Sequence, residues 1–249
     1  MSNLSGALTY DFNGKNSLSF EYQHINKLPN LIFNLHQSSY INYNWFNDFN
    51  NEKINQININ ANTQWLSASA QIATYTDMLY FSNDEAEPFQ VVTPKQYSES
   101  INYVSVKLSK EFRYGKFALD NTVLYQEVDQ QANILNVPKI VTRNTLYFSD
   151  HFFKRALYLQ TGVTLNYFTE YYANDYNPLL GEFFVQEDKK IGNFPLLDFF
   201  VNARIKQTRI FFKAEHFNSS FTGNNFYAAP NSPYRDFLIR FGLVWNFFQ

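Results

Sequence analysis

The 249-residue chain contains no cysteine, which excludes disulfides, thiolate metal sites and cysteine nucleophiles while leaving the redox compartment open. No apolar run approaches the 18 or so residues that a membrane-spanning helix requires. Glycine is scarce, at eight residues, and there is no Gly-x-Ser-x-Gly, P-loop or Gly-x-Gly-x-x-Gly motif, so a phosphate-cradling loop has no support. Neither sign of charge dominates. Twenty Lys and Arg against 22 Asp and Glu leave a net charge of -2, too balanced for the positive field of a nucleic-acid binder. Met1-Ser2-Asn3-Leu4-Ser5-Gly6 shows no basic segment followed by an apolar one. The expectation is that a secretory leader has been removed or that the chain begins within a longer gene product.

Aromatic side chains are abundant: 27 Phe, 18 Tyr and 3 Trp make up 19% of the chain. That excludes disordered, collagen-like and coiled-coil readings. The mean hydropathy of -0.37 is compatible with a β-barrel, whose membrane signal falls only on every second residue.

The pattern has that period. From Phe237 the odd positions read Phe237, Ile239, Phe241, Leu243, Trp245 and Phe247, whereas the even ones, Leu238, Arg240, Gly242, Val244, Asn246 and Phe248, are mixed. One apolar face and one mixed face mean an extended strand. Leu197, Phe199, Val201, Ala203 and Ile205 oppose Asp198, Phe200, Asn202, Arg204 and Lys206 in the same way, and the phase resets across Lys206 to Arg209 as at a tight hairpin. Further strands run through Leu157 to Tyr167, Val104 to Leu108 and Phe117 to Tyr125. Asn13-Gly14 between alternating runs is a strong hairpin signal. Ile41, Tyr43 and Trp45, Ile57 to Ala61, and Leu66 to Ile72 are weaker candidates. The count is about twelve strands with no helix of any length. Short connections alternate with long polar ones over the last two-thirds of the chain, but not over the first eighty residues.

Alternation alone does not separate a soluble sandwich from an outer-membrane barrel. Length does, because these strands exceed the five or six residues usual in globular proteins and match the 9 to 11 needed to cross the hydrocarbon. Aromatic ends such as Tyr167, Trp245 and Phe247 suit the headgroup level. The expected fold is an all-β antiparallel transmembrane barrel of about 12 strands, one domain over residues 1–249 or the C-terminal part of a larger barrel. Phe237, Ile239, Phe241, Leu243, Trp245 and Phe247 are then the lipid-facing row. Asp198, Arg204, Lys206, Lys213, Glu215, Arg240 and Asn246 are the pore-lining candidates, with conduction and a filled lumen both open. The segment from Glu182 to Lys190 is either a constriction or an external receptor surface.

Several stretches carry a family resemblance: Phe211-Phe212-Lys213-Ala214-Glu215-His216, Tyr227 to Asp236, Ile239 to Phe248, Thr142 to Phe148, and Ala156 to Val163. They resemble the C-terminal part of the β-barrel porin family of Bacteroidetes outer membranes. The resemblance implies a bacterial outer-membrane location and a diffusion channel for small hydrophilic solutes. It also implies contact with outer-membrane lipids and lipopolysaccharide, and with the barrel-assembly machinery during insertion.

Enzyme chemistry, metals and cofactors find no positive signal. His24, His36, His151 and His216 lack metal-ligand spacing, and the acidic loop of Asp84, Glu85 and Glu87 before Pro88 lacks the calcium-loop arrangement. His216 beside Glu215 and near Ser219 and Ser220 is the single local catalytic candidate, and neighbours along a strand point to opposite faces. Two other functions stay open: a structural or partner-binding barrel with a filled lumen, and a soluble carbohydrate-binding domain whose aromatics stack on sugars.

Overall fold

The computed structural model describes residues 1–84, 90–221 and 226–247. Its frame is one eleven-stranded antiparallel meander in which every strand pairs with the next in the chain. The strands are β1 (Ser2–Phe12), β2 (Asn16–Lys27), β3 (Glu52–Asn62), β4 (Ser67–Thr76), β5 (Ile101–Tyr114) and β6 (Phe117–Asp129). They continue as β7 (Ile140–Phe152), β8 (Leu157–Phe168), β9 (Leu196–Ile205), β10 (Thr208–Glu215) and β11 (Leu238–Trp245). Nine of the eleven have ten residues or more, long enough to cross a hydrocarbon layer when tilted.

Five tight turns at 13–15, 63–66, 115–116, 153–156 and 206–207 lie at one end, and five longer connections at the other. Asn13 and Gly14 take left-handed φ angles of 57° and 62°, the geometry that an Asn-Gly hairpin turn supplies without strain. The strand expected through Ile41, Tyr43 and Trp45 is not in the sheet. These residues lie in the 28–51 connection, where Tyr43 and Trp45 turn the same way into a cluster of loop aromatics. Their alternation is real, but its partner is a loop core. With that strand removed, tight and long connections alternate from β1 to β11. The β7–β8 turn lies at 153–156, with Phe153, Lys154 and Arg155 all left-handed.

The register sorts side chains onto two faces. Phe117, Phe148, Thr161, Val201, Phe212 and Phe241 stand in one row across six strands. Leu8, Phe20, Ile59, Ala70, Val106, Tyr125 and Ile140 form another on the same face. No second layer covers this face among the described residues: Phe241 is 82% exposed and Leu8 76%. A sandwich would have buried them. One interruption was not foreseen, a polar spot formed by Lys110, Asn121 and Asn144. The Lys110 ammonium lies 5.7 Å from the Phe112 ring centroid, so its stem covers apolar surface while the charge heads for the aromatic fringe.

The sheet does not close on itself among the described residues, since β1 and β11 are its two edges. As first and eleventh strands of an antiparallel meander they run in the same direction. The all-β antiparallel sheet of long strands is the architecture expected from the sequence, with eleven strands for the approximate twelve.

Gly162 on β8 stands between Tyr147 and Phe200 on the polar face. A Cβ there would collide with the Leu146 carbonyl oxygen and lie 2.6 Å from Tyr147 Cβ. Gly162→Ala is expected to destabilise the fold by about 1–3 kcal/mol, the range for overpacking. The denaturant midpoint for unfolding from lipid vesicles measures it.

Candidate functional site

The polar face changes character across the sheet. Over β2 to β4 it is a carpet of amides and hydroxyls: Gln71 Nε2 donates to Gln56 Oε1 (3.1 Å), Gln56 Nε2 to Gln23 Oε1 (3.3 Å) and Gln23 Nε2 to Glu21 Oε1 (2.7 Å). Asn60 Nδ2 donates to Ser19 Oγ (3.3 Å). Such side chains satisfy one another across strands and remain wettable. Over β5 to β8 charge enters: Arg113 Nε donates to Glu111 (2.6 Å), which also accepts from the Tyr147 hydroxyl.

Over β9 to β11 the charges condense into one network. Lys213 Nζ lies 3.0 Å from Asp198 Oδ2 and 2.9 Å from Glu215 Oε1. Glu215 Oε2 lies 3.1 Å from Arg240 Nε and 3.4 Å from Arg235 Nη2, as ion contacts rather than aligned hydrogen bonds. Glu215 is 6% exposed; its three cations are half-exposed. Glu215→Gln leaves Lys213 with Asp198 and takes from Arg235 and Arg240 the carboxylate they pair with among the described residues. The expected cost is about 1–3 kcal/mol, limited because half-exposed cations turn to water. Chemical denaturation in low and high salt tests this, and the loss should shrink as salt screens the unbalanced charge.

Four of the pore-lining candidates, Asp198, Lys213, Glu215 and Arg240, thus meet in one cluster. Arg204 stands apart near the tight turns, its guanidinium 5.6 Å from the Tyr158 ring and opposite Arg209. Two candidates are corrected. Lys206 occupies the β9–β10 turn with a left-handed φ of 51°, because the phase reset there takes it off the strand. Asn246 follows β11, and its backbone N–H donates to the Gln207 carbonyl (3.3 Å) at the turn end. In the apolar row Ile239, Phe241, Leu243 and Trp245 lie on β11, Phe237 precedes it, and Phe247 follows it, stacked on Trp245 at 4.8 Å.

His216 and Glu215 part company. The His216 ring is buried edge-on against Phe226 (4.4 Å between centroids), with Nδ1 2.8 Å from the Arg235 carbonyl oxygen. The Glu215 carboxylate is held by the cations, so the pair does not form a base and its orienter. No group of three His, Asp or Glu side chains suited to a metal occurs among the described residues. Glu85 and Glu87 of the acidic loop lie outside the described residues.

The long connections build a second feature at their end of the sheet. Tyr43, Phe81, Val92 and Phe184, from three different connections, form a buried cluster with Trp45 packed on it. Val185 N–H donates to the Phe81 carbonyl (2.8 Å). The Asn177 amide donates to the Tyr43 hydroxyl (3.1 Å), which itself donates to the Gln90 carbonyl (3.0 Å). The Glu182–Lys190 segment belongs to this assembly, Glu182–Phe184 pairing with Asp175–Asn177. It borders a cavity of about 710 Å³ lined by Asn133, Asp175, Gln186, Glu187 and Asn231 among others. Just before β7, Lys139 pairs with Glu127 (3.1 Å), whose hydrogen bond and charge hold the ammonium's pKa above its ordinary value. A further cavity, of about 430 Å³, lies on the polar face between β6 and β10. The pore-lining candidates named from the sequence all come from β9 to β11 and their ends, whereas the polar face continues over β2 to β8, since each hairpin turn carries the face assignment from one strand to its partner.

Solved barrel walls share this arrangement. The copper transporter OprC matches with a TM-score of 0.62 and 14% identity, over 85% of this chain and 33% of that one. The FrpB iron transporter from Neisseria meningitidis (F3-3 variant) matches with a TM-score of 0.60 and 14% identity, over 97% and 38%. A ferric enterobactin receptor mutant from Pseudomonas aeruginosa, in complex with enterobactin, gives 0.56 and 12%, over 91% and 36%. The chain spans about a third of the length of these proteins, and at such identities the likeness is one of fold. No protein of curated function matches the sequence. The fold and the sequence together identify an outer-membrane barrel protein of bacteria, and the chain belongs to the family described as "Putative porin", which matches residues 1–249.

Proposed function

We propose that the eleven strands form part of the wall of a channel through which small hydrophilic solutes diffuse passively, the apolar face meeting lipid and the polar face lining the water. The observation that carries this reading is the sorting of faces across the whole sheet, with no layer over the apolar side among the described residues. Because β1 and β11 run in the same direction, pairing them directly would be parallel, whereas bacterial single-chain barrels are antiparallel with an even strand count. An odd number of further strands completes such a wall. Two copies of this sheet related by an axis along the membrane normal would meet in parallel seams, so self-association does not supply them. A barrel of more than eleven strands is wider than the eight-stranded barrels that side chains fill, and at 16 to 18 strands an aqueous channel is left.

Single-channel recording in planar bilayers tests the proposal: stepwise conductance supports it, and a folded, inserted barrel with no conductance above background removes it. A second reading, a binding barrel whose connections dock a partner, draws on the buried cluster that knits three long connections together. A partner captured only while the 77–100 connection is intact, by a barrel that does not conduct, would favour it. The soluble carbohydrate-binding alternative falls with the outer-membrane location.

A further inference from the structure

Aromatic rings stand on the polar face where a simple water-filled passage has no use for them. Tyr147 and Phe200 flank Gly162 from the two neighbouring strands, and the missing side chain lets Tyr147 pack directly over the glycine. Phe211 stands one row away, 41% exposed. Its ring fills the space over Gly242, with Cε1 2.5 Å and Cζ 2.7 Å from where a Cβ would lie. All three line the cavity of about 430 Å³, within the volume range of small-molecule sites.

The rest of its lining is planar and polar. Asp120 and Arg143 are exposed, and neither makes an ion pair among the described residues. Asn202 and Gln160 add amides, with Asn202 Nδ2 3.5 Å from Gln160 Oε1, and Asp198 brings a carboxylate beside Lys213. Apolar ring faces combined with carboxylate, amide and guanidinium edges match one ligand chemistry well. A pyranose has C–H faces that rest on aromatic rings and hydroxyls that both donate and accept.

We infer that this cavity is a sugar subsite on the channel wall, an inference that rests on the polar face being the lumen. Titration of maltotriose into the complete outer-membrane protein in detergent tests it. Saturable binding is expected, weakened tenfold or more by Phe200→Leu with Phe211→Leu, which keep apolar volume and remove the aromatic faces. Asp120→Ala, at an exposed position, is expected to weaken it severalfold without touching packing. Phe241→Leu on the opposite face should leave it unchanged. No saturable binding, equal binding by the ring variants, or tighter binding of glycylglycine than of maltotriose would each overturn the subsite. Conductance without sugar binding overturns the subsite alone, whereas sugar binding without conductance overturns the channel and leaves the subsite standing.

Discussion

Arginine at position 201 is expected to lower the stability of the inserted protein by about 2–4 kcal/mol, the cost of a cation on the lipid face near the bilayer midplane. Val201 lies in the middle of β9, flanked by Thr161 and Phe212 on the apolar face. No carboxylate stands beside it in that row, so the guanidinium would have to reach an interface several residues away. Asn202, its neighbour in sequence, faces Gln160 and Phe211 on the polar side, and Asn202→Arg should cost a few tenths of a kcal/mol at most, as for ordinary surface substitutions. The contrast between adjacent residues is the informative quantity. Equilibrium unfolding from lipid vesicles measures both. Equal costs would mean that the two faces do not meet different solvents.

The second large effect is local. Phe81 is 3% exposed, stacked on Phe33 at 4.5 Å and packed near Trp45 at 6.4 Å. Phe81→Ala is expected to cost about 3–5 kcal/mol, as for other buried phenylalanines, and the loss falls on the connection cluster instead of on the sheet. The 28–51, 77–100 and 169–195 connections are joined through this cluster, whereas each hairpin of the sheet is held by its own ladder of backbone hydrogen bonds. Opening of the connections should rise about 100-fold or more, since each 1.4 kcal/mol is a factor of ten. Hydrogen exchange would show this as lost protection in residues 28–51 and 173–194, with β3 to β8 unchanged. Loss of protection throughout the sheet would contradict a separate loop core.

Much of the sheet was legible because a period of two is a local property. Phe241 and Leu243, or Phe199 and Val201, declare their face within a few residues, and the Asn13-Gly14 turn announces its hairpin. The loop core was not legible in the same way: Tyr43 and Trp45 alternate as strand residues do, yet their partner Phe81 is 36 residues or more away in sequence. Strand parity likewise depends on the total count, so one false strand at 41–45 hid the shared direction of β1 and β11. The charge network was visible as a list of inward residues, but its centre was not. Glu215 gathers three cations because Arg235 arrives from a long connection, which no strand pattern reveals. Lys206 was misplaced because a turn residue keeps the parity of the strand before it.

The central claim, that the apolar face meets lipid and the polar face water, can be tested on β10 in a chain that has no native cysteine to obscure labelling. Single cysteines at positions 209 to 214 of the protein in lipid vesicles would be treated with a membrane-impermeant maleimide. Labelling should alternate, with Arg209, Phe211 and Lys213 positions reactive and Ile210, Phe212 and Ala214 positions protected. Uniform labelling, or alternation with the opposite phase, would contradict it.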